Sequence, residues 1–405
     1  MSRPQDPGST GPRSTGPAGT GNGNEPGLAA RVRERWGVHG RGQHERDRAE
    51  ARSVDLHDGV RERAGRSGGG RPSGGRHGGA RNAGGEQFVV PRARPDSYYG
   101  KPIIKEPVWG TRDVGGYLFL GGLAGASAVL AGFAQATGNH RQAKVSKVAA
   151  VGAVGLSGVA LVADLGRPER FVNMLRVFKP TSPMSVGSWL LSGFGGAAVA
   201  SAACAVTGRL PRAGAAATAG AAVLGPGVCT YTAALICDTA VPAWHEGHRE
   251  MPYVFAGSAA SAAGGLGMLA TPGHAGLATR FAALGAVTEL TAKRRMMDRL
   301  GGTGEPYRTG RPGKLLNVAE VLTVAGAAAA LLGGGPVLGG GAPGGRRRVM
   351  NTLCGAALLT ASALTRFGIF EAGRASARDP KYTVRPQRER LAAKAVGSVT
   401  DPPGS

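Results

Sequence analysis

The sequence is poor in cysteine, in aromatic residues and in acidic residues, and each shortage excludes a class of protein. Only 4 of the 405 residues are cysteine, so the fold is not built on a framework of disulfide bonds. Aromatic residues make up 5% of the chain, which argues against a nucleic-acid binder that stacks bases on aromatic platforms. Asp and Glu number 26 against 49 Lys and Arg, so the net charge is +23 and suits anionic partners or membrane surfaces.

Residues 1–96 have no long apolar run and are crowded with Gly, Pro, Arg and Ser. Because such a segment buries too little apolar surface to offset the entropy of ordering, we expect a disordered tail. It also lacks the pattern of a secretory or twin-arginine signal. Its basic charge suits either a nucleic-acid or lipid contact or a merely solvated tail. The interspersed acidic residues favour the solvated tail, and we expect no nucleic-acid partner.

Apolar and small-residue stretches recur after residue 113, and most have the length that crosses a bilayer as a helix. None shows the polar face that a soluble helical bundle would repeat every 3.6 residues. We therefore predict an all-α polytopic membrane protein. An eight-helix transmembrane bundle (97–372) follows the disordered tail (1–96) and precedes a basic C-terminal tail (373–405). The predicted spans are residues 114–137, 145–163, 185–206, 213–239, 252–270, 273–292, 315–332 and 349–370.

Small residues cluster inside these spans, for example at Gly121 and Gly125 and again at Gly264, Gly265 and Gly267. The spacing permits close helix crossing. We interpret it as tight packing within one bundle rather than as a dimer motif.

Eight spans place both termini on one side of the membrane, and loop charge indicates which side. The loops on that side are the more basic, although the opposite loops are basic too, which favours cytoplasmic termini. We therefore expect a multi-pass protein of the plasma membrane. The basic residues on the terminal side include Arg167, Arg170, Arg176, Lys179, Lys293, Arg294, Arg295 and Arg311, against Arg141, Lys144 and Arg346 to Arg348 opposite.

No soluble-enzyme motif is present in the sequence, neither a P-loop nor a dinucleotide-binding fingerprint. The four cysteines lack Cys-x-x-Cys spacing and fall in predicted spans, so we expect buried apolar residues and no iron–sulfur cluster. The histidines lie in the tail, in loops or at span ends, which does not suit haem ligation. We expect no catalytic residue, haem or metal site in this chain.

Ionisable side chains near span ends are the remaining chemical signal, because each is costly in hydrocarbon. Tyr231 and Asp238 share a helix face at i, i+7, while Asp113 and Tyr117 open the first span. The alternative is interfacial snorkelling, or a salt bridge between Arg366 and a Glu. The further residues that we place at span ends on the terminal side are Glu289, Glu320, Arg366 and Glu371.

The loop between the second and third spans carries the most specific pattern. It reads Asp164-Leu165-Gly166-Arg167-Pro168, then Ser182-Pro183-Met184-Ser185-x-Gly187-Ser188-Trp189. With Tyr99-Gly100-Lys101-Pro102-x3-Glu106-Pro107-x-Trp109, Pro242-x-Trp244 and Asp379-Pro380-Lys381-Tyr382, it resembles the NrfD/PsrC family of quinone-interacting membrane subunits. The resemblance covers about residues 97–390.

The resemblance implies a haem-free membrane anchor of a multisubunit oxidoreductase. Its expected partners are a four-cluster ferredoxin-like iron–sulfur subunit and a molybdopterin catalytic subunit, such as a formate-dehydrogenase-like enzyme. Its expected substrate is quinone or menaquinone, bound near the start of the first span. The candidates for the quinone site or the partner face are Asp113, Tyr117, Asp164, Arg167, Tyr231 and Asp238.

Two other functions remain open from the sequence. A transporter or channel without a redox role would call for a broken helix or an inverted repeat around a mid-membrane polar site. We find no convincing repeat, and we place the polar residues at span ends. A membrane-anchored nucleic-acid binder would depend on the tail.

Overall fold

A computed structural model describes residues 103–107, 110–165, 169–334 and 344–400, and within these ranges the regular structure is helical. A 3₁₀ turn at Gly301–Gly304 joins α8 to α9. The α-helices are α1 Thr111–Ala136, α2 His140–Leu165, α3 Glu169–Met174, α4 Pro183–Thr207, α5 Pro211–Cys237, α6 Pro242–Glu246, α7 Met251–Ala270, α8 Gly276–Leu300, α9 Glu305–Arg308, α10 Gly310–Gly334, α11 Gly344–Arg378 and α12 Lys381–Thr400.

Each of the eight predicted spans overlaps one long helix, which confirms the all-α membrane architecture. Among the described helices, seven are long and apolar enough to cross a membrane: α1, α2, α4, α5, α7, α10 and α11. The chain is therefore a multi-pass membrane protein. The exception among the eight is α8, whose last three turns include Lys293, Arg294 and Arg295 and lower its hydropathy.

Close contact with α7 shows that α8 still runs the length of the bundle. A methyl group at Gly257 would lie 2.8 Å from the carbonyl oxygen of Gly285, and one at Gly264 would lie 2.5 Å from the carbonyl oxygen of Ala278. The two helices thus pack antiparallel with their backbones nearly touching, as small residues allow. The tight packing predicted for the glycine cluster of α7 is confirmed.

The helices α1 and α7 form the centre of the bundle. Their apolar stretches are 72% and 67% buried, against 28% for α2 and α4, which lie at the periphery. Gly125, one of the glycines predicted to permit close helix crossing, lies where α1 crosses α5. A methyl group at Gly125 would lie 2.5 Å from the carbonyl oxygen of Gly225 in α5. A helix with small residues on several faces can be surrounded closely, which places α1 at the core.

Proline and glycine define several helix ends. α4 and α5 carry proline in the first turn, where the missing N–H has no helical partner. α4 ends at Gly208, whose φ of 69° is the left-handed conformation that glycine adopts at low cost.

Residues 103–107, which we call the leading segment, precede α1 and are hydrogen-bonded to the end of α11. Glu106 Oε1 accepts hydrogen bonds from Arg374 Nη2 at 2.7 Å and from Arg378 Nη2 at 2.6 Å. The first and last long helices therefore meet at one end of the bundle, as an even number of crossings requires. We call this the terminal end.

The two expected tails relate differently to these helices. The expected boundary at residue 372/373 falls inside α11, and α12 follows it, so much of the expected basic tail is helical. Residues 1–96, expected to be disordered, lie outside the described residues.

Candidate functional site

Two tyrosines chosen from the sequence come together near the terminal end. The rings of Tyr117 in α1 and Tyr231 in α5 meet edge to face, with centroids 6.4 Å apart and planes at 74°. Each lies six residues from the terminal end of its helix, which corresponds to about 9 Å. Tyr117 is buried at 6% exposure, whereas Tyr231 is half-buried, so the pair joins the core to the surface of the bundle.

Neighbouring helices fix the two tyrosines. A methyl group at Gly187 of α4 would lie 2.5 Å from Cε2 of Tyr231, so the absent side chain makes room for the ring. On the other side, the Ser157 hydroxyl of α2 donates to the Tyr117 carbonyl oxygen at 3.4 Å. Four helices therefore converge on this pair, which we call the tyrosine site.

Among the remaining predicted site residues, Asp238 is the one whose side chain the structure describes. Asp238 is exposed at the end of α5, and its backbone N–H donates to the carbonyl oxygen of Ala234. Asp113 lies in α1 and Asp164 in α2, but their side chains are outside the described part of the structure. Arg167 lies wholly outside the described residues.

A second group of polar residues lies deep in the bundle and was not among the sequence-selected site residues. Arg366 of α11 is 0% exposed and Glu289 of α8 is 3% exposed. Thr365 Oγ1 donates to Glu289 Oε1 at 2.8 Å. We call these three residues the buried cluster. The signal for it was present in the sequence, since both charged residues interrupt apolar stretches.

Arg366 is held without a carboxylate. Its Nη2 donates to the Phe255 carbonyl oxygen at 2.6 Å, and its guanidinium lies 3.7 Å from the centroid of the Phe255 ring. Gly122 of α1 leaves space for it, because a methyl group there would lie 3.0 Å from Nη2. No ion pair between Arg366 and a Glu occurs among the described residues, so the expected salt bridge is absent there.

The buried cluster has unused hydrogen-bonding capacity. Within the described structure, Glu289 Oε2 and Arg366 Nε and Nη1 have no hydrogen-bond partner although each atom is buried. Buried polar groups without partners cost free energy, so native proteins keep them where a ligand, water or proton is handled. The cluster can therefore accept or donate further hydrogen bonds inside the bundle.

One turn further along α8, a second charged pair bridges to α10. Lys293 Nζ lies 2.7 Å from Glu320 Oε2 and also donates to the Leu316 carbonyl oxygen at 3.1 Å. Glu320 is the eleventh residue of the candidate span Gly310–Leu332, and Glu289 lies near the middle of α8. Both helices extend further toward the terminal end than the predicted apolar spans do, so each carboxylate lies near the middle of its helix although it lies near one end of its predicted span.

Ion pairs tie together the terminal end itself. Glu371 lies 3.4 Å from Arg311, and Glu250 lies 2.5 Å from Arg299. The hydrogen bonds from Arg378 and Arg374 hold the pKa of the Glu106 carboxyl below its ordinary value of 4.5. These pairs fix the loops of the terminal end.

Several residues of the family-like motifs have structural roles. Trp244 is fully buried, its Nε1 donates to the Ile369 carbonyl oxygen at 2.9 Å, and its ring packs on Phe370. Ser185 donates to the Val177 carbonyl oxygen at 3.1 Å and accepts from the Lys179 N–H, which orders the loop before α4. Trp244 and Ser185 therefore stabilise helix packing and the loop before α4, whereas Gly187, from the same motif as Ser185, leaves room for the Tyr231 ring.

No group of three metal-ligating side chains occurs in the part of the chain that the structure describes. The four cysteines are free thiols, and Cys229, Cys237 and Cys354 are buried. The Cys229 thiol donates to the carbonyl oxygen of Gly122 at 3.4 Å, as a buried structural thiol does.

The fold and the buried charges define a polytopic helical membrane protein with a polar interior. Residues 104–301 match the family described as Polysulphide reductase, NrfD. This match confirms the resemblance to the NrfD/PsrC family that the sequence motifs indicated. It extends from the leading segment through α8 and includes both tyrosines and Glu289, whereas Asp379 to Tyr382 lie beyond it.

Among curated proteins, none matches the chain. NrfD-family proteins are membrane subunits of oxidoreductase complexes, which supports a membrane-anchor role for this chain. Such subunits generally partner iron–sulfur and molybdopterin oxidoreductase subunits.

Proposed function

We propose that this chain is the quinone-reactive membrane anchor of an oxidoreductase complex. It passes electrons between the quinone pool and a four-cluster ferredoxin-like subunit, which in turn serves a molybdopterin enzyme of the formate-dehydrogenase-like type. The observation that carries the proposal is the contact of Tyr117 with Tyr231 near the terminal end, inside the segment that matches the family.

The tyrosine site suits a quinone headgroup for physical reasons. Aromatic rings offer edges and faces for the flat quinone ring, and a phenol hydroxyl is a hydrogen-bond donor for a quinone carbonyl. Tyr117 is buried among apolar residues while Tyr231 is half-buried, so an apolar ligand arriving from the bilayer meets Tyr231 first. Neither residue needs to be ionised to do this.

Reduction of one quinone to quinol consumes two electrons and two protons. The electrons come from the iron–sulfur partner, because this chain is not expected to hold a redox centre. We assign the proton supply to the buried cluster. Gly122, against which Arg366 lies, is five residues from Tyr117 along α1, and Glu289 has an unpartnered carboxylate oxygen.

The partner subunit docks on the terminal end in this proposal. Exposed basic residues there complement the acidic surface expected of a ferredoxin-like subunit and accelerate its association at low ionic strength. With the terminal end facing the cytoplasm of the plasma membrane, the partner is cytoplasmic. The exposed basic residues are Arg294, Arg295, Arg308, Arg311 and Lys314.

The test is quinol-dependent electron transfer by the purified complex. We expect Tyr231→Phe to lower quinol turnover at least tenfold, because the ring stays and the donor hydroxyl is lost. Tyr253→Phe is the matched control, since Tyr253 is 63% exposed at the start of α7. Equal activity of both variants, or a purified complex without an iron–sulfur partner, would contradict the proposal.

The mid-helix position of Glu289 and Glu320 favours a second candidate, a transporter or channel without a redox role. Charged residues in the middle of membrane helices mark ion and proton pathways. Proton or ion flux in liposomes that contain this chain alone, abolished by Glu289→Gln and independent of quinone, would favour this candidate over the anchor.

A further inference from the structure

The stretch between α3 and α4 exposes apolar side chains although it belongs to no membrane-spanning helix. We call residues 175–182 the α3–α4 connection. Val177 is 66% exposed and Phe178 is 58% exposed. The Phe178 ring meets the ring of Trp189 in α4 edge to face, with centroids 6.3 Å apart. Exposed apolar and aromatic side chains at this place require an apolar neighbour from outside the chain.

The α3–α4 connection folds back beside the first turns of α4. Ser185, the third residue of α4, accepts from the Lys179 N–H at 3.0 Å and donates to the Val177 carbonyl oxygen at 3.1 Å. Trp189 is the seventh residue of that helix, about 9 Å along the axis from its start. Because α4 is a candidate membrane span over its whole length, the Phe178 ring lies at the depth of the first two turns of this span.

Basic side chains flank these apolar ones. Arg176 and Lys179 are exposed, and within the described structure neither side chain takes part in an ion pair. The sequence has no acidic residue between Glu169 and Asp238, so this part of the chain offers them no counter-charge. A long basic side chain near hydrocarbon is stabilised when its charged end reaches the headgroup layer and pairs with a phosphate.

This combination of side chains favours a lipid over a protein as the neighbour. Aromatic residues concentrate at membrane–water interfaces, and Lys and Arg attract anionic lipids there. The apolar stretch of α4 is 28% buried, so most of its surface faces the bilayer. An acidic soluble partner could neutralise the two cations, but it would have to enter the bilayer to cover Val177 and Phe178.

We propose that the α3–α4 connection lies in the headgroup layer and binds anionic phospholipids. Val177 and Phe178 insert beside Trp189 among the upper parts of the acyl chains, while Arg176 and Lys179 bind phosphate oxygens. The bound lipids hold the start of α4 at a fixed depth in the membrane. This inference requires that the chain spans a membrane and does not depend on the proposed redox function.

The first test is photolabelling of the full chain in phosphatidylcholine nanodiscs. The probes are phosphatidylglycerol and phosphatidylcholine that carry the same diazirine close to the headgroup, and mass spectrometry identifies the labelled residues. We expect at least fivefold more label on residues 172–189 from the anionic probe. One basic side chain near an anionic lipid strengthens the association by roughly this factor.

Charge variants show which residues cause the preference. Arg176→Gln combined with Lys179→Gln should remove the preference for the anionic probe. Arg209→Gln combined with Arg212→Gln neutralises two exposed basic residues near the opposite end of α4 and should leave the preference unchanged. Equal labelling by the two probes, or an unchanged preference in the first double variant, would overturn the proposal.

The depth of the connection is tested with a membrane-impermeant maleimide, and mass spectrometry reads the modified residue. Phe178→Cys in nanodiscs should react at least tenfold more slowly than Thr181→Cys, which places the thiol at an exposed position next to the start of α4. Equally fast modification of the two variants would overturn the proposal. Protection of Phe178→Cys that occurs only in the complete complex would identify a protein-docking surface instead.

Discussion

At the scale of single residues, Arg366 is the most demanding side chain of the bundle. Its guanidinium is fully buried, yet the partners that hold it are a backbone carbonyl and the Phe255 ring. A buried charge without a close counter-charge loses hydration that such contacts only partly restore. Because burying the Arg366 guanidinium costs free energy, we infer that Arg366 serves the function of the protein rather than its stability.

This argument predicts opposite effects of Arg366→Met on stability and on activity. Met fills much of the same volume without a desolvation cost, so we expect the thermal midpoint in detergent to stay the same or rise. Quinol turnover of the complex should fall at least tenfold. Arg280→Met, at an exposed position of α8, is the control. A large loss of stability in Arg366→Met would show that Arg366 is structural.

Gly187 gives the sharpest test of the tyrosine site. A methyl group there would overlap the Tyr231 ring, so Gly187→Ala should displace the ring and lower quinol turnover several-fold. Gly195→Ala and Gly196→Ala, on the same helix with open space around them, should leave turnover unchanged. Turnover in all three variants is the measurement, and equal values would remove Tyr231 from the site.

At the scale of helices, the close contact of α7 with α8 positions Glu289. A methyl group at Gly257 would clash with the backbone of Glu289, and one at Gly285 would lie 2.6 Å from the Gly257 carbonyl oxygen. At Gly257 and Gly285, no side chain larger than a hydrogen atom fits between these helices. The contact holds the carboxylate next to Thr365 of α11, so the geometry of the buried cluster depends on the α7–α8 crossing.

We therefore expect Gly285→Ala to destabilise the bundle by about 1–3 kcal/mol, the usual cost of overpacking a tight core. The measurement is thermal unfolding of the purified protein in detergent. Gly152→Ala in α2 is the control, because its added methyl group meets no neighbour. A destabilisation equal to that of the control would mean that the two helices separate easily.

The sequence predicted the helices well and the contacts between them poorly. Apolar length located the eight long helices, because hydrocarbon leaves the backbone few alternatives. The same criterion placed Glu320 near the start of a span, because the charged stretch with Arg311 and Lys314 has the composition of a loop. In the structure α10 begins earlier, at Gly310. Tyr117 and Tyr231 were chosen for separate reasons, and their contact depends on how α1 crosses α5, which no local pattern encodes.

At the scale of the whole molecule, Glu106 joins the beginning of the bundle to its end. Two arginines of α11 bind one carboxylate and hold its pKa below the ordinary 4.5. A carboxyl group whose pKa is lowered by folding stabilises the fold above its unfolded pKa. That contribution is lost as the pH falls through the folded value.

The leading segment should therefore detach in acid. We expect proteolytic cleavage within residues 103–107 to accelerate as the pH falls below 4.5, measured at constant temperature with a protease that is active from acid to neutral pH. Glu106→Gln should show the fast rate at neutral pH already and lose the pH dependence, whereas Glu389→Gln, at an exposed position of α12, should behave like the parent chain. An unchanged cleavage rate in Glu106→Gln would show that the ion pairs of Glu106 do not hold the leading segment in place.

The central position of α1 has a consequence for biosynthesis. The ribosome releases α1 before the other long helices, yet two of the helices that bury it, α7 and α11, leave the ribosome much later. Until then the small-residue faces of α1 are exposed to lipid. Glu289 likewise enters the membrane before Thr365 of α11 can donate a hydrogen bond to it. The bundle closes only when its last long helix is inserted, so a chain that terminates early leaves a membrane-embedded carboxylate for quality control to recognise.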